Sequence, residues 1–320
     1  MSGAHLQGNT FTPTPIEFFG NVGGAELYVK RDDLIPVAMG GNKVRIAAEI
    51  FAEMSRRGCD AVITYGSVTS NLNRAVALMA KDAGVKCYAI VKKDTCAAAE
   101  KLPLNYRLVL ASGAEVAETD STHVGETVAR VMAESRARGE KPFYVYGDAT
   151  GHGNEEVLSR AYKEVYGEIL TQEQALFDGE YHFTEIFTAV GTGSTVSGLI
   201  AAAGGEGAVP GMTETGAVPG AAAGERHITG ISVARSREAV LAAIGQEDER
   251  FTITDEYLVP SSLEDFCITT SLAHAMPLDP VYTGKALFGT MEEIRKRGIT
   301  GKVLFLHTGG TPLYYDMLEK

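Results

Sequence analysis

Glu185-Ile186-Phe187-Thr188-Ala189-Val190-Gly191-Thr192-Gly193-Ser194-Thr195 is the stretch that decides the fold. After Glu185, the run Ile186 to Val190 is mostly apolar and largely β-branched or aromatic, which is a strand pattern. The glycines then break the strand, and Thr195 to Ala203 continues as an apolar helix. Glycines permit a tight turn and leave backbone N–H groups uncovered. Ser194 and Thr195 add hydroxyl donors, and the helix N-terminus adds positive potential. This chemistry suits one phosphate group. The turn lacks the lysine of a Walker loop and the three glycines of a dinucleotide fingerprint. A plain strand-to-helix turn is the competing reading.

The same alternation extends in both directions. Upstream, strands are expected at Glu26–Lys30, Ala61–Tyr65, Lys86–Val91, Ala114–Val116 and Phe143–Tyr146. Helices are expected at Lys43–Arg57, Asn71–Ala83, Ala97–Ala111, Val124–Arg138 and Glu155–Tyr166. Downstream come a strand at His227–Val233, helices at Glu238–Ile244 and Lys285–Arg297, and a strand at Val303–Leu306. Repeated strand and helix give an α/β protein with mainly parallel sheets, because helical crossovers make parallel connections economical. A length of 320 residues suits two cores better than one. A polar linker near Leu170–Glu180 is one candidate boundary, and a second crossing near Lys43–Ala48 is needed if one domain is inserted in the other. Ala201–Gly224, rich in Gly, Ala and Pro, reads as a helix end and a long surface loop.

Composition excludes several classes. A net charge of -12 leaves nothing to neutralise a nucleic-acid backbone. Cys59, Cys87, Cys96 and Cys267 match neither a metal knuckle nor a redox pair, and a reducing compartment is the simple reading. Neither a secretory signal nor an uncharged run of membrane-spanning length is visible, so a cytoplasmic protein without membrane contact is expected. The residues form no zinc-like cluster and no nucleophile elbow.

Four more segments carry polar groups where parallel sheets place ligands. In Met39-Gly40-Gly41-Asn42-Lys43-Val44-Arg45, Asn42 is a candidate helix cap and Lys43 lies in the first turn. A helix N-terminus lowers the pKa of an amine, which suits a lysine that forms an imine; a surface lysine after a capped turn is the alternative. Tyr65-Gly66-Ser67-Val68-Thr69-Ser70-Asn71 packs hydroxyls and an amide between a strand and a helix. It is either a carboxylate site or an ordinary loop capped by Ser70 or Asn71. At the end of Val303-Leu304-Phe305-Leu306-His307-Thr308, Thr308 is placed to meet a ring nitrogen, and His307 reads as a core or supporting histidine. Tyr282, in Asp279-Pro280-Val281-Tyr282-Thr283-Gly284-Lys285, either reaches a site or packs, with Gly284 as a turn before the helix.

In order and spacing these segments resemble the fold type II pyridoxal-phosphate enzymes. More narrowly they are similar to the family of 1-aminocyclopropane-1-carboxylate deaminase and D-cysteine desulfhydrase. The resemblance runs over nearly the whole chain. It includes Thr12–Glu17, Tyr28–Leu34, Gly40–Lys43, Ser70-Asn71, Gly191–Thr195, Gly230–Val233, Asp279–Ala286 and His307–Gly310. It implies pyridoxal 5'-phosphate as cofactor, with its aldehyde on Lys43, which also moves protons. It places Asn71 on the cofactor's 3-oxygen. Gly191, Thr192, Gly193, Ser194 and Thr195 then hold the phosphate, and Thr308 faces the pyridine nitrogen. Ser70 and Tyr282 fall at catalytic positions near a small amino-acid substrate. The implied fold is a tryptophan synthase β-like pair of open, parallel-sheet α/β domains: residues 1–46 with 168–320 as the large cofactor-binding domain, 47–167 as the inserted one. A homodimer is the usual assembly.

Departures from the family concentrate around the substrate. Leu72 stands where the family usually has His, and Thr69 where it commonly has Gln. His274-Ala275-Met276-Pro277 replaces a frequent Glu-Gly-Ile, and Tyr146–Gly153 replaces a glycine, serine and asparagine pattern. Thr69, Ser70, Leu72, His274 and Tyr282 are therefore the expected substrate-facing residues. After Tyr282 the cyclopropane deaminases typically carry Glu and the desulfhydrases Thr; Thr283 leans toward the latter. The resemblance then implies α,β-elimination from an amino acid with a β leaving group, giving a 2-oxo acid and ammonia. A β-replacement synthase or racemase, or a cofactor-retaining protein without turnover, are the alternatives.

Overall fold

The computed structural model describes residues 11, 13–93, 101–180, 182–204, 226–245, 250–257 and 262–319. Cys96 and all of the Ala201–Gly224 segment beyond residue 204 lie outside them. Two compact units result, one built on Pro36–Leu158 and the other on Thr12–Ile35 with Ser159–Met317. The bounds expected from sequence fall later in the chain, within the first and fifth helices below.

The second unit begins with β1 (Ile16–Val22) and β2 (Gly24–Arg31), an antiparallel pair. The chain then builds the first unit through α1 (Asn42–Arg57), β3 (Ala61–Ser67), α2 (Asn71–Ala83), β4 (Lys86–Lys92), α3 (Leu104–Ser112), β5 (Glu115–Thr119), α4 (Val124–Ala137) and β6 (Pro142–Tyr144). Its four strands pair in the order β5-β4-β3-β6, all parallel. Ala61, Val62, Ile63 and Thr64 are wholly buried, as expected of a parallel strand covered on both faces. From α1, Val44, Ile46, Ala47 and Ile50 are buried; from α2, Ala75, Val76 and Met79 are. Each fully buried Ile or Val contributes about 1.5–3 kcal/mol. Gly58 and Gly84 end these helices in the left-handed conformation.

The second unit resumes with α5 (Glu155–Leu176), β7 (Phe183–Val190), α6 (Ser194–Ala203), β8 (His227–Ser232), α7 (Arg237–Ile244), β9 (Phe251–Thr254), α8 (Leu263–His274), α9 (Thr283–Arg297), β10 (Thr300–His307) and α10 (Thr311–Leu318). Its sheet has six strands in the order β1-β2-β10-β7-β8-β9, parallel except for β1. Leu27, Phe187, Ile231, Leu287, Val303 and Phe305 form the centre of its core. The β7–α6 unit read from sequence thus supplies a strand in the interior of this sheet. Among the described residues no helix is long and apolar enough to cross a membrane.

Several local expectations are corrected. α5 runs on to Leu176, past Tyr166 where the sequence pattern ends it and into the linker expected near Leu170–Glu180, because Ile169 and Leu170 are buried and continue its apolar stripe. α3 starts at Leu104, after Pro103, which lacks the N–H a preceding helical turn would need; residues 97–100 of the expected helix lie outside the described residues. Gly284 sits in the first turn of α9, not in a turn before it.

Candidate active site

Lys43 is the second residue of α1. Asn42 does not cap this helix; the cap is Gly41 (φ 92), and no side chain accepts from the helix end. The approach to it is unusual. Ala38, Met39, Gly40 and Gly41 all have positive φ, at 45, 63, 68 and 92. For Ala38 and Met39 this conformation costs on the order of 1–3 kcal/mol each. The turn is held by Arg74 of α2, whose guanidinium donates to the carbonyl of Ala38 and, at 3.3 Å, to that of Gly40. The Lys43 amine has no hydrogen bond or ion pair among the described residues. The residue keeps some exposure, yet the protein around its amine pushes the pKa down to about 8. Such an amine is a nucleophile near neutral pH.

The other candidates of the first unit share the β3–α2 turn. Ser70 caps α2, its Oγ accepting from the Asn73 N–H at 3.1 Å. The Ser70 hydroxyl proton is left to donate elsewhere, and the helix N-terminus eases negative charge on that oxygen. Asn71 is half-buried; its Oδ1 accepts from Asn105 Nδ2 at 3.0 Å and from Arg74 at 3.4 Å. Thr69 is half-buried, its hydroxyl 3.0 Å from that of Ser67 and its carbonyl accepting from Asn105 at 2.8 Å. Leu72 is buried in the first turn of α2.

In the second unit, Gly191, Thr192 and Gly193 form the turn from β7 into α6. Gly193 is the cap, with φ 96, and a Cβ there would lie 2.2 Å from Ile244 Cγ2. Both its conformation and its surroundings demand glycine. No side chain caps α6 and its first turn carries no acid, so the backbone end is left for an anion. The Thr192 and Ser194 hydroxyls are 3.3 Å apart, and Thr195 is buried. Tyr282 joins this group: a Cβ on Gly191 would meet its ring at 3.6 Å. Burial pushes its phenol up to about 12, so it is a neutral donor at physiological pH.

Asp279 organises Tyr282. This fully buried carboxylate accepts from the N–H groups of Val281, Tyr282 and Thr283 at 2.9, 2.7 and 3.0 Å, and from the Thr283 hydroxyl at 2.7 Å. Burial raises its pKa, against the pull of those bonds. Its Oδ2 would be 2.2 Å from a Cβ at Gly310 (φ 100), so it also packs against the loop that follows Thr308. Thr308 is buried just past the end of β10, and its hydroxyl has no partner among the described residues. His307 supports the strand end. Its Nδ1 accepts the Gly309 N–H at 3.2 Å, which leaves the proton on Nε2, 2.9 Å from the Pro277 carbonyl.

His274 stands apart. It is exposed at the end of α8 and stacks on Phe19, with ring centroids 3.9 Å apart. None of its described contacts is with the 191–195 turn, Tyr282 or Thr308. Sequence reading overlooked Arg74, Asn105 and Asp279. The signal for Arg74 was present: a charged residue beside Ala75 and Val76 on a helix with a buried face.

The described residues contain no group of metal-binding side chains. A family model described as pyridoxal-phosphate dependent enzyme matches residues 7–309. A protein of Pyrococcus abyssi, provisionally named 1-aminocyclopropane-1-carboxylate deaminase, is 30% identical over 96% of this chain and 93% of its own length. A D-cysteine desulfhydrase of Salmonella schwarzengrund is 29% identical over 95% of this chain and 93% of its own. The crystal structure of an ACC deaminase homologue superposes with a TM-score of 0.73 at 26% identity, covering 96% of this chain and 94% of that one.

Proposed function

Because the chain belongs to the pyridoxal-phosphate dependent enzymes, we propose that it eliminates a β-substituent from a small amino acid, as a D-cysteine desulfhydrase does. The substrate loses its α-hydrogen and its β leaving group. With one water, the products are a 2-oxo acid, ammonia and the protonated leaving group. The observation that carries this reading is the Lys43 amine, unpaired among the described residues and lowered to about pKa 8.

Each unit by itself carries groups whose chemistry suits the cofactor. In this reading Lys43 would supply the amine for the aldehyde and Asn71 a side-chain amide for the 3-oxygen, and Thr308 of the second unit a hydroxyl, unpartnered among the described residues, for the ring nitrogen. The Gly191–Thr195 turn supplies backbone and hydroxyl donors for the phosphate. Bound pyridoxal phosphate supplies the electron sink that acidifies the α-hydrogen. Lys43 would take that proton at its amine, with Ser70 as a second group able to hold or pass a proton at its Oγ. Thr308, a neutral hydroxyl, would hold the ring nitrogen by a hydrogen bond and would not supply it with a full charge. Tyr282, protonated, donates to the substrate. Thr69, Ser70 and Leu72 line the substrate side in this reading, with His274 the weakest member because its ring is engaged with Phe19.

Thr283 supports elimination over ring opening. Its hydroxyl is spent on Asp279. A glutamate at this position would set a second carboxylate beside a buried one, with no described cation bonded to either. The unpaired thiols Cys59, Cys87 and Cys267 support a reducing, cytoplasmic setting, and a homodimer belongs to the same reading. The test is a panel of D- and L-amino acids scored for 2-oxo acid and ammonia. Release of both from D-cysteine, together with sulfide, is expected. Product formed only with an added nucleophile, or loss of optical activity without oxo acid, would replace elimination by β-replacement or racemisation.

A further inference from the structure

We propose that Arg74 and Asn105 are positioning residues that lock the Asn71 amide with its nitrogen directed to the cofactor's 3-oxygen, and that Arg74 holds that oxygen anionic through the amide. The proposal rests on the reading of Asn71 as the 3-oxygen donor.

Amide orientation is normally ambiguous, since oxygen and nitrogen are alike in shape. Here two independent contacts fix it. A guanidinium carries only donors, so the Asn71 atom facing Arg74 at 3.4 Å is the oxygen. A backbone carbonyl only accepts, so the Asn105 atom 2.8 Å from the Thr69 carbonyl is the nitrogen. That same nitrogen is 3.0 Å from Asn71 Oδ1. Both acceptor positions of Asn71 Oδ1 are therefore filled. Its Nδ2 has no partner among the described residues, and its two hydrogens are the only polar groups the side chain has left to offer.

The two residues are costly in a way that packing does not explain. Arg74 and Asn105 are wholly buried. Arg74 Nε and Asn105 Oδ1 are buried with no hydrogen-bond partner among the described residues. Every described partner of Arg74 is a neutral oxygen: the carbonyls of Ala38 and Gly40 and the amide of Asn71. Burying a charge without a counter-charge is unfavourable. Burial lowers the Arg74 pKa only to about 10, so it stays charged at neutral pH. An anionic 3-oxygen on the far side of the Asn71 amide supplies the missing counter-charge, because a cation at the amide oxygen polarises the N–H groups opposite. Arg74 also holds the turn that leads into Lys43, so one side chain sets both the amine's approach and the amide's direction.

The test uses the holoenzyme and the pH midpoint of the cofactor's visible band, with cofactor affinity and melting temperature recorded alongside. Losing a donor to the 3-oxygen makes that oxygen more basic, so the proton it shares leaves at higher pH. Asn71→Ala is expected to raise the midpoint by about one pH unit. Asn105→Ala and Arg74→Gln are expected to raise it in the same direction. Arg74→Lys, which keeps the charge, is expected to recover part of the shift. Asn105→Ala added to Asn71→Ala is expected to move it no further, since the two act as one unit. A merely structural role would lower the melting temperature and leave the midpoint in place. If Asn71→Ala shifts the midpoint but Asn105→Ala and Arg74→Gln do not, the lock is wrong while the reading of Asn71 stands. If Asn71→Ala itself has no effect, that earlier reading fails and the lock with it. Should Arg74→Gln not fold, Asn105→Ala and Arg74→Lys decide the matter.

Discussion

Two helices in this molecule begin alike and are put to different use. α1 starts at Gly41 (φ 92) and α6 at Gly193 (φ 96), and neither has a side-chain cap. Before α1, four consecutive residues adopt positive φ, two of them non-glycine, and a buried arginine holds the carbonyls. That turn delivers a side chain, the Lys43 amine. Before α6, Gly193 alone has positive φ within the 191–193 turn, fitted against Ile244 with the Tyr282 ring over Gly191. That turn delivers backbone. α2 supplies the contrast, since the Ser70 side chain satisfies one of its first N–H groups, that of Asn73, in the ordinary way. In the proposed reading an uncapped helix start serves in both places, with the strained conformations before α1, where a side chain is to be aimed, and a single positive-φ glycine before α6, where N–H groups suffice.

The largest expected effect is at the strained turn. Lys43→Ala should lower turnover by about 10²–10⁴ or more and abolish the wild-type visible band, with phosphate-turn affinity largely kept. Steady-state rates and absorption spectra check this. The next effect belongs to the other turn. Gly193→Ala forces a Cβ onto Ile244 and an L-residue into the left-handed region, at about 1–3 kcal/mol. Cofactor titration should show affinity weaker by roughly 10- to 100-fold, while the band that forms at saturation keeps its wild-type midpoint. If both variants fail in the same manner, the division of labour between side chain and backbone is not real. The smallest effect is kinetic. With a Lys43 pKa of about 8, the fraction of free amine rises as pH increases toward that value and levels off above it. The rate at which cofactor-free protein takes up pyridoxal phosphate should follow the same curve, and stopped-flow absorbance would reveal a flat profile if the amine were not the limiting group.

Much of this was legible in sequence, for a physical reason. β7 and β10 are short apolar runs and the glycine turns are local, so period and composition reveal them. Lys43 was visible as a residue in a first turn, but on local chemistry it could equally be a surface lysine; only the order of the motifs singled it out. What stayed hidden is long-range. Asn105 meets Asn71 and Thr69 across more than thirty residues, and the Asp279 carboxylate fits beneath Gly310 from a different loop. The antiparallel β1 was missed because its exposed Phe18 and central Gly20 blur the two-residue alternation. His274 illustrates the opposite limit: its place among the departures made it a substrate candidate, whereas its ring is engaged with Phe19.

The most direct measurement is chemical. Borohydride reduction of the holoenzyme fixes the cofactor to whichever amine holds it, and peptide mass mapping identifies that amine. The pyridoxyl group is predicted on the peptide containing Lys43. Its appearance instead on Lys285, a part-buried lysine whose pKa is also lowered by desolvation, or on no lysine at all, would contradict the account.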